Sequence, residues 1–147
     1  MKDTLQQKDI LGMIPHRKPF RFIDNILDID DNFVRGDYTF RKEEYFYQGH
    51  FPGHPITPGV ILIETMAQIG LLTLGIYLSK DTKKLEKVFL TSSNIDFRSF
   101  VLPGERVVVE AKKIYFRMNK LKCDVSMHQE TKGVICKGSI AGIFLDD

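Results

Sequence analysis

A histidine in a loop rich in proline and glycine is the first candidate for chemistry in this sequence. His50 lies within residues 48–55, where two prolines stiffen the backbone and two glycines relax it. Loops held in this way often carry catalytic groups, and a neutral imidazole can remove a proton near neutral pH. Phe51 and Pro52 would give it an apolar surround and a contact for substrate. The alternative is an ordinary surface histidine, which is the commoner fate of a lone loop histidine.

A glutamate inside an apolar helix is the second candidate. Thr57 is typical of a helix N-cap and Pro58 of the first helical position, so the sequence predicts a long helix from there to Leu78. Glu64 lies two turns into it, among residues that are almost all apolar. Burial would favour the neutral acid and raise its pKa, which suits a proton donor. The alternative is an exposed polar stripe, since Glu64 and Gln68 share one helix face.

A neutral histidine and a neutral glutamic acid together suit the elimination of water next to a carbonyl group. His50 would take the α-proton as the base, and Glu64 would protonate the departing hydroxyl as the acid. The charge that develops on the carbonyl oxygen then needs a hydrogen-bond donor. The first N–H groups of the helix, at Gly59 or Val60, are free to provide it. A glycine also lets the substrate approach the backbone closely.

The rest of the chain supplies elements that could position this pair. A short helix is predicted over residues 9–14, and strands are predicted over residues 20–29, 33–40, 88–97, 106–116, 121–129 and 134–145. Short connections between successive strands favour antiparallel pairing. We therefore expect a single α+β domain over residues 1–147, in which an antiparallel sheet of about six strands wraps around one long helix. One sheet cannot cover that helix on all sides, so a second subunit is also expected.

The clearest strand signal lies over residues 121–129. Polar residues there alternate with an apolar set that consists of Leu121, Cys123, Val125 and Met127. Cys123 and Cys136 are expected to be small buried side chains with free thiols. We expect His16 to be structural and His128 to be exposed.

Composition argues against several other classes of function. The formal net charge is only +2 and cations are scattered among anions, which argues against a nucleic-acid partner. Residues 60–78 are nearly all apolar, but Glu64 inside a bilayer would cost about 2.5–3.5 kcal/mol, so a core helix is expected and not a membrane span. Residues 1–8 contain no apolar signal core, which predicts a cytoplasmic protein.

No metal site is expected. His50 and His54 are separated by Pro52 and Gly53, which prevent the helical spacing that would bring both rings onto one ion. The two cysteines lack the close C-x-x-C spacing of zinc sites.

Three motifs carry a resemblance to the FabZ family of 3-hydroxyacyl-[acyl carrier protein] dehydratases. The most specific covers residues 49–64 with Met66-Ala67-Gln68 after it, because many identities occur there at fixed spacing. The two weaker matches are Pro15-His16-Arg17 with Pro19-Phe20, and Asp96-Phe97-Arg98 with Pro103-Gly104-Glu105. The resemblance implies a hot-dog fold. It also implies conversion of (3R)-3-hydroxyacyl groups to trans-2-enoyl groups on acyl carrier protein, in fatty-acid or related polyene biosynthesis.

The resemblance also assigns roles to particular residues. In the family, the histidine of one subunit faces the glutamate of the other, which corresponds here to His50 and Glu64. Gly59 corresponds to the backbone donor to the thioester carbonyl, and Gln68 is similar to a glutamine that steadies the acid. The substrate arrives on the phosphopantetheine arm of acyl carrier protein, its acyl chain fills an apolar tunnel, and no metal or diffusible cofactor is implied. Homodimers that assemble as a trimer of dimers are frequent, and Arg98 is a candidate for docking the acidic carrier.

Departures from the family and other enzyme classes leave alternatives. The FabA dehydratase-isomerases carry aspartate where this chain has Glu64, so isomerase activity is not expected. Lys18 and Ser99 stand where an aromatic residue and an arginine are frequent, which leaves a specialised polyene pathway open. A thioesterase of the same fold would need a carboxylate that activates water. A non-catalytic acyl-binding module would be expected to have lost the acid or the base.

Overall fold

The computed structural model describes residues 7–79 and 87–145 of the chain. The first helix is α1 (Gln7–Met13), and a 3₁₀ turn (Tyr45–Gln48) precedes the long helix α2 (Gly59–Ser79). The strands are β1 (Asn25–Ile29), β2 (Phe33–Thr39), β3 (Lys87–Phe97), β4 (Arg106–Arg117), β5 (Lys120–Gln129) and β6 (Gly133–Leu145).

The strands form one antiparallel six-stranded sheet in the order β1-β2-β4-β5-β6-β3. Alternate residues of its central strands face α2, so that Val107 and Val109 are fully buried while Arg106 and Val108 point away from the core. A sheet curled around one long helix is the hot-dog fold, and the predicted α+β class is confirmed.

Small residues bring α2 close to the sheet. A Cβ added at Gly70 would lie 2.9 Å from the Ala111 Cβ, and one at Gly75 would lie 2.0 Å from the Phe144 ring. The middle of the helix, Ala67–Leu72, is π-helical. By length and composition α2 could cross a membrane, but 78% of its most apolar window is buried inside the protein. That burial is typical of a core helix, as the sequence predicts.

The start of α2 differs from the prediction. Pro58, and not Thr57, is the N-cap, and the N–H groups of Ile61 and Leu62 donate to the Pro58 carbonyl over 2.9 and 3.2 Å. The Thr57 hydroxyl is instead bonded to the Tyr47 hydroxyl at 2.6 Å. The predicted cap is wrong because a buried tyrosine hydroxyl needs a partner, and Thr57 provides it.

The first predicted strand is also too long. β1 begins only at Asn25, because residues 20–22 bond to a side chain of α2 and not to a neighbouring strand. The N–H of Phe22 donates to Gln68 Oε1 over 2.7 Å, and the carbonyl of Phe20 accepts from Gln68 Nε2 over 3.1 Å. The amide of Gln68 thus takes the place of the backbone hydrogen bonds that a neighbouring strand would provide here.

β5 has the alternation that the sequence predicts. Its apolar set, Leu121, Cys123, Val125 and Met127, is buried throughout. Cys136 on β6 is also buried, and both cysteines are free thiols. Burial raises the pKa of each thiol to about 12, so both behave as inert apolar side chains. His128 is half-buried on the polar face, beside Val108 of β4, and is therefore less exposed than predicted.

β3 is an edge strand without a second neighbour in the described chain. It pairs only with β6, and none of its 11 residues is buried. Its large apolar side chains include Phe89 and Phe97, which are 51% and 46% exposed. A long edge strand with exposed apolar side chains is a template for pairing with another chain, which suits the expected second subunit.

Candidate active site

Backbone hydrogen bonds fold the His50 loop onto itself. The N–H of Ile56 donates to the His50 carbonyl over 2.9 Å, and Phe51 and His54 exchange backbone bonds of 3.3 and 2.9 Å. The Thr57 N–H then donates to the Val101 carbonyl over 2.9 Å, which ties the end of the loop to the chain that follows β3. The loop is therefore a fixed platform and not a free connection.

The environment of His50 selects one imidazole tautomer. Nδ1 lies 2.9 Å from the Ile56 carbonyl oxygen. A carbonyl can only accept, so Nδ1 carries the proton and the neutral ring has its free lone pair on Nε2. The ring also stacks on Phe51, with centroids 4.0 Å apart and an interplanar angle of 24°. His50 therefore presents Nε2 in a fixed orientation, which a general base requires.

Glu64 lies in a much drier environment. Its side chain keeps only 21% of its accessible surface. Burial raises the pKa of the carboxyl above its ordinary value, and the smaller opposing effect is a hydrogen bond from Gln68. Gln68 Nε2 donates to Glu64 Oε2 over 2.8 Å. Burial thus shifts Glu64 toward its protonated form relative to an exposed glutamate. Its partly buried side chain and the buried Gln68 argue against an exposed polar stripe, and the role of Glu64 as the acid stays a prediction.

Gln68 is itself fixed by the main chain. It is only 1% exposed, and its two bonds to Phe20 and Phe22 determine which end of the amide faces Glu64. Because Oε1 of Gln68 accepts from an N–H group, Nε2 must be the end that donates to Glu64. The predicted steadying contact between glutamine and acid is present in the structure.

A mostly apolar cavity of about 310 Å³ opens beside Glu64. Its wall from α2 includes Ala67, Leu71 and Leu72, and its wall from β3 consists of Val88, Phe89 and Leu90. A carboxyl in the wall of an apolar cavity suits a substrate with a polar head and an alkyl chain.

The first turn of α2 is open on one side. Val60 is 72% exposed, and the Phe97 ring lies so close that a Cβ added at Gly59 would be 3.2 Å from it. A side chain at Gly59 would therefore fit only if the Phe97 ring moved by a few tenths of an ångström. The free N–H groups expected in a first helical turn could meet an acyl oxygen there.

The structure does not bring every predicted site residue to one place. The cavity beside Glu64 is lined by other residues than His50, whose ring lies in the loop before α2. Phe51 and Pro52 are exposed on that loop. Arg98 is exposed directly after β3, where its N–H donates to the Ile135 carbonyl over 2.8 Å. Within one protomer, His50 is thus absent from the wall of the cavity that Glu64 lines.

His16 is the site residue that sequence reasoning missed. It lines the same cavity as Glu64, and its Nε2 lies 3.6 Å from Glu64 Oε2. Its motif with Arg17 and Phe20 resembles the family, but no pattern in the sequence indicates that this segment packs on α2. The only usable signal was the presence of a polar residue, Gln68, on an apolar helix that needs partners.

Within residues 7–79 and 87–145, His, Cys, Asp and Glu side chains form no group of three that could hold a metal ion.

Comparison with known proteins places this arrangement in a family. Residues 14–139 match the model of the FabA-like domain. The chain belongs to the FabA-like family. Within that family, 3-hydroxyacyl-[acyl-carrier-protein] dehydratase FabZ of Proteus mirabilis is 40% identical over 116 residues, which are 76% of this chain and 75% of the relative. The FabZ of Geobacter metallireducens is 37% identical over 113 residues, 75% of this chain and 74% of the relative.

A solved structure agrees with the fold. The dehydratase heterocomplex ApeI:P from Xenorhabdus doucetiae contains a chain that superposes with a TM-score of 0.79 at 14% identity, over 97% of this chain and 93% of that one. The resemblance to FabZ is therefore confirmed, and this member of the FabA-like family is a FabZ-type dehydratase.

Proposed function

We propose that the protein converts (3R)-3-hydroxyacyl groups on acyl carrier protein to trans-2-enoyl groups, with His50 as base and the partner's Glu64 as acid. The family membership supports the reaction class. The observation that carries the residue roles is that the chain prepares both groups: His50 has a free Nε2, and Glu64 is a partly buried carboxyl beside an apolar cavity.

The chemistry is a concerted or stepwise removal of water in which all atoms balance. His50 Nε2 takes the proton from C2 of the acyl chain, and the electrons of that bond form the C2–C3 double bond. The bond from C3 to the hydroxyl oxygen breaks, and Glu64 gives that oxygen its proton, so water leaves. The enzyme returns to its starting state when the proton held by the histidine passes back to the glutamate through solvent or product water.

The thioester carbonyl needs stabilisation while the C2 proton is removed. We assign this role to the first N–H groups of α2, at Gly59 and Val60, because a helix N-terminus carries partial positive charge and unpaired donors. The Phe97 ring lies beside Gly59, at 3.2 Å from the position that a Cβ there would take. The acyl chain then extends past Gln68 into the apolar cavity.

A homodimer completes the site in this proposal. The separate positions of His50 and Glu64 within one protomer, together with the exposed edge strand β3, support a partner that brings the two half-sites together. We further propose a trimer of dimers, a cytoplasmic location, no metal or diffusible cofactor, and carrier docking near Arg98. Fatty-acid elongation is the expected pathway, with polyene synthesis as its specialised alternative.

The experiment is to incubate the protein with 3-hydroxyacyl thioesters on acyl carrier protein and to follow enoyl formation by absorbance. Chains of short, medium and long acyl length test the size of the cavity. Turnover to the enoyl product supports the proposal. Release of free thiol in place of the enoyl product would identify a thioesterase, and binding without turnover at any chain length would identify a non-catalytic module.

A further inference from the structure

Two polar groups of the same protomer approach one oxygen of the Glu64 carboxyl. Gln68 Nε2 donates to Oε2 over 2.8 Å, and His16 Nε2 lies 3.6 Å from the same atom. Of the two oxygens of a neutral carboxyl, the carbonyl oxygen is the stronger acceptor, so the hydrogen bond from Gln68 favours Oε2 as the carbonyl oxygen and Oε1 as the one that holds the acid proton. The arrangement therefore selects which oxygen can give a proton to substrate.

The surroundings of His16 determine where its own proton lies. Burial, and to a smaller extent the charge of Arg21, lower the pKa of His16, so the ring is neutral at neutral pH. Its Nδ1 is buried and has no hydrogen-bond partner among the described residues. A buried N–H without an acceptor is rarer than a buried lone pair without a donor, so Nδ1 is the bare nitrogen. The proton is then on Nε2, which faces Glu64.

Two arginines fix the backbone that presents the ring. The His16 carbonyl accepts from Arg17 Nη1 over 2.8 Å and from Arg21 Nη1 over 3.2 Å. Arg21 Nη2 also donates to the Leu11 carbonyl over 2.8 Å, which ties the end of α1 to the same side chain. These hydrogen bonds hold the backbone of His16 and therefore the position of its ring beside Glu64.

We propose that His16 is a positioning residue for the acid: its Nε2–H, together with the Gln68 amide, holds Glu64 Oε2 and stabilises the carboxylate that forms when the proton leaves Oε1. This inference rests on the proposed dehydratase function. A separation of 3.6 Å is longer than a hydrogen bond, and the contact tightens when negative charge develops, as catalytic hydrogen bonds do on substrate binding.

The charged and titratable groups around this contact come from two elements of the protomer. Glu64 faces His16 from α2, and Arg21 faces it from the segment before β1, where Asp24 partly offsets the arginine charge. The wall from β3 is apolar. In the proposed dimer the partner's His50 adds one further titratable group on the substrate side.

The test compares His16→Phe, which removes the donor, with His16→Gln, whose amide can replace Nε2–H. The pKa of Glu64 is measured by carbon-13 NMR of labelled glutamate, with Glu64→Gln used to assign the signal, and kcat and KM are measured across pH. His16→Ala removes the donor without added bulk, and His128→Phe is the matched control on the far face of the sheet.

We expect His16→Phe and His16→Ala to raise the Glu64 pKa and to lower kcat roughly tenfold with little change in KM, because a hydrogen bond to a charged group is lost. His16→Gln should recover most of both properties, and His128→Phe should change neither. An unchanged Glu64 pKa in both donor-free variants, or a His16→Gln variant as impaired as His16→Phe, would overturn the inference.

The two proposals fail in different ways. Wild-type enzyme without dehydratase turnover, but with a Glu64 pKa that moves in His16→Phe, would refute the proposed function and retain the contact. Normal turnover with an unmoved Glu64 pKa would refute the role of His16 alone.

Discussion

The loop that carries His50 and the helix that carries Glu64 prepare their side chains in opposite ways. His50 is oriented by a hydrogen bond to the Ile56 carbonyl and by stacking on an exposed phenylalanine. Glu64 is prepared by burial, which raises its pKa, and by an amide on the next turn of the helix. A base has to keep a lone pair open, whereas an acid has to keep its proton. The loop achieves the first with backbone geometry and the helix achieves the second with low solvent access.

The largest effect is expected from removing either reacting group. His50→Ala and Glu64→Gln should each lower kcat at least a hundredfold, since a positioned acid or base contributes about 10²–10⁴ in rate. Both changes lie where no packing is lost from the core. His54→Ala, in the same loop, is the control and should keep near wild-type turnover in the enoyl assay. Activity within tenfold of wild type in either variant would remove that residue from the mechanism.

A smaller effect is expected from the amide that steadies the acid. Gln68→Leu removes the donor to Glu64, so the pKa of the carboxyl should rise further. Because the acid then stays protonated to higher pH, the high-pH limb of the kcat/KM profile should shift to higher pH. We expect kcat to fall roughly tenfold, because the carboxylate formed during turnover loses a charge-assisted bond.

Gln129→Leu, at another buried glutamine outside the cavity, is the control for the loss of a buried amide. A Gln68→Leu enzyme with an unmoved high-pH limb would show that burial alone controls the acid.

The stacked ring beside the base should matter less. Phe51→Leu keeps an apolar side chain but removes the aromatic contact with His50, whose ring is 4.0 Å away. Aromatic pairs contribute about 0.5–1.5 kcal/mol, so we expect a loss of roughly threefold in kcat. Single-turnover rates would measure it, with Phe100→Leu as an exposed aromatic control. A loss as large as that of His50→Ala would mean that Phe51 does more than orient the imidazole.

The smallest effect concerns how the stability of the fold depends on pH through the carboxyl of Glu64. Burial raises the folded-state pKa of Glu64 above its ordinary value of 4.5, so its stabilising contribution is complete below that pH and is lost as pH rises through the folded value. Glu64→Gln has no carboxyl to ionise, so its Tm relative to wild type should increase between pH 4 and pH 8. A Tm difference for Glu64→Gln that is constant across this range would contradict the buried acid.

Local patterns in the sequence predicted the elements better than their ends. The alternation of β5 and the apolar run of α2 follow from burial on one face, and both are confirmed. Residue type alone favours Thr57 as the helix cap, but in the structure its hydroxyl is bonded to that of a tyrosine ten residues earlier. The strand predicted from residue 20 was too long for a similar reason, since Gln68 takes its backbone groups. Contacts between distant residues decided both outcomes.

In the candidate site, too, local patterns predict the residues, whereas contacts between distant residues decide their geometry. His50 and Glu64 could be chosen from residue type and local context, because an isolated acid in an apolar helix is itself unusual. The contact of His16 with Glu64 could not, because it depends on how residues 14–21 fold across α2. The free Nε2 of His50 likewise required the position of the Ile56 carbonyl.

The most direct test of the central claim mixes two inactive enzymes. His50→Ala and Glu64→Gln protomers are combined in equal amounts under conditions that allow subunit exchange, and enoyl formation is followed. If each site takes its histidine from one subunit and its glutamate from the other, half of the dimers are mixed and each has one intact site, so about a quarter of wild-type activity should return. Exchange confirmed by mass spectrometry without any recovery of activity would contradict a site shared across the interface.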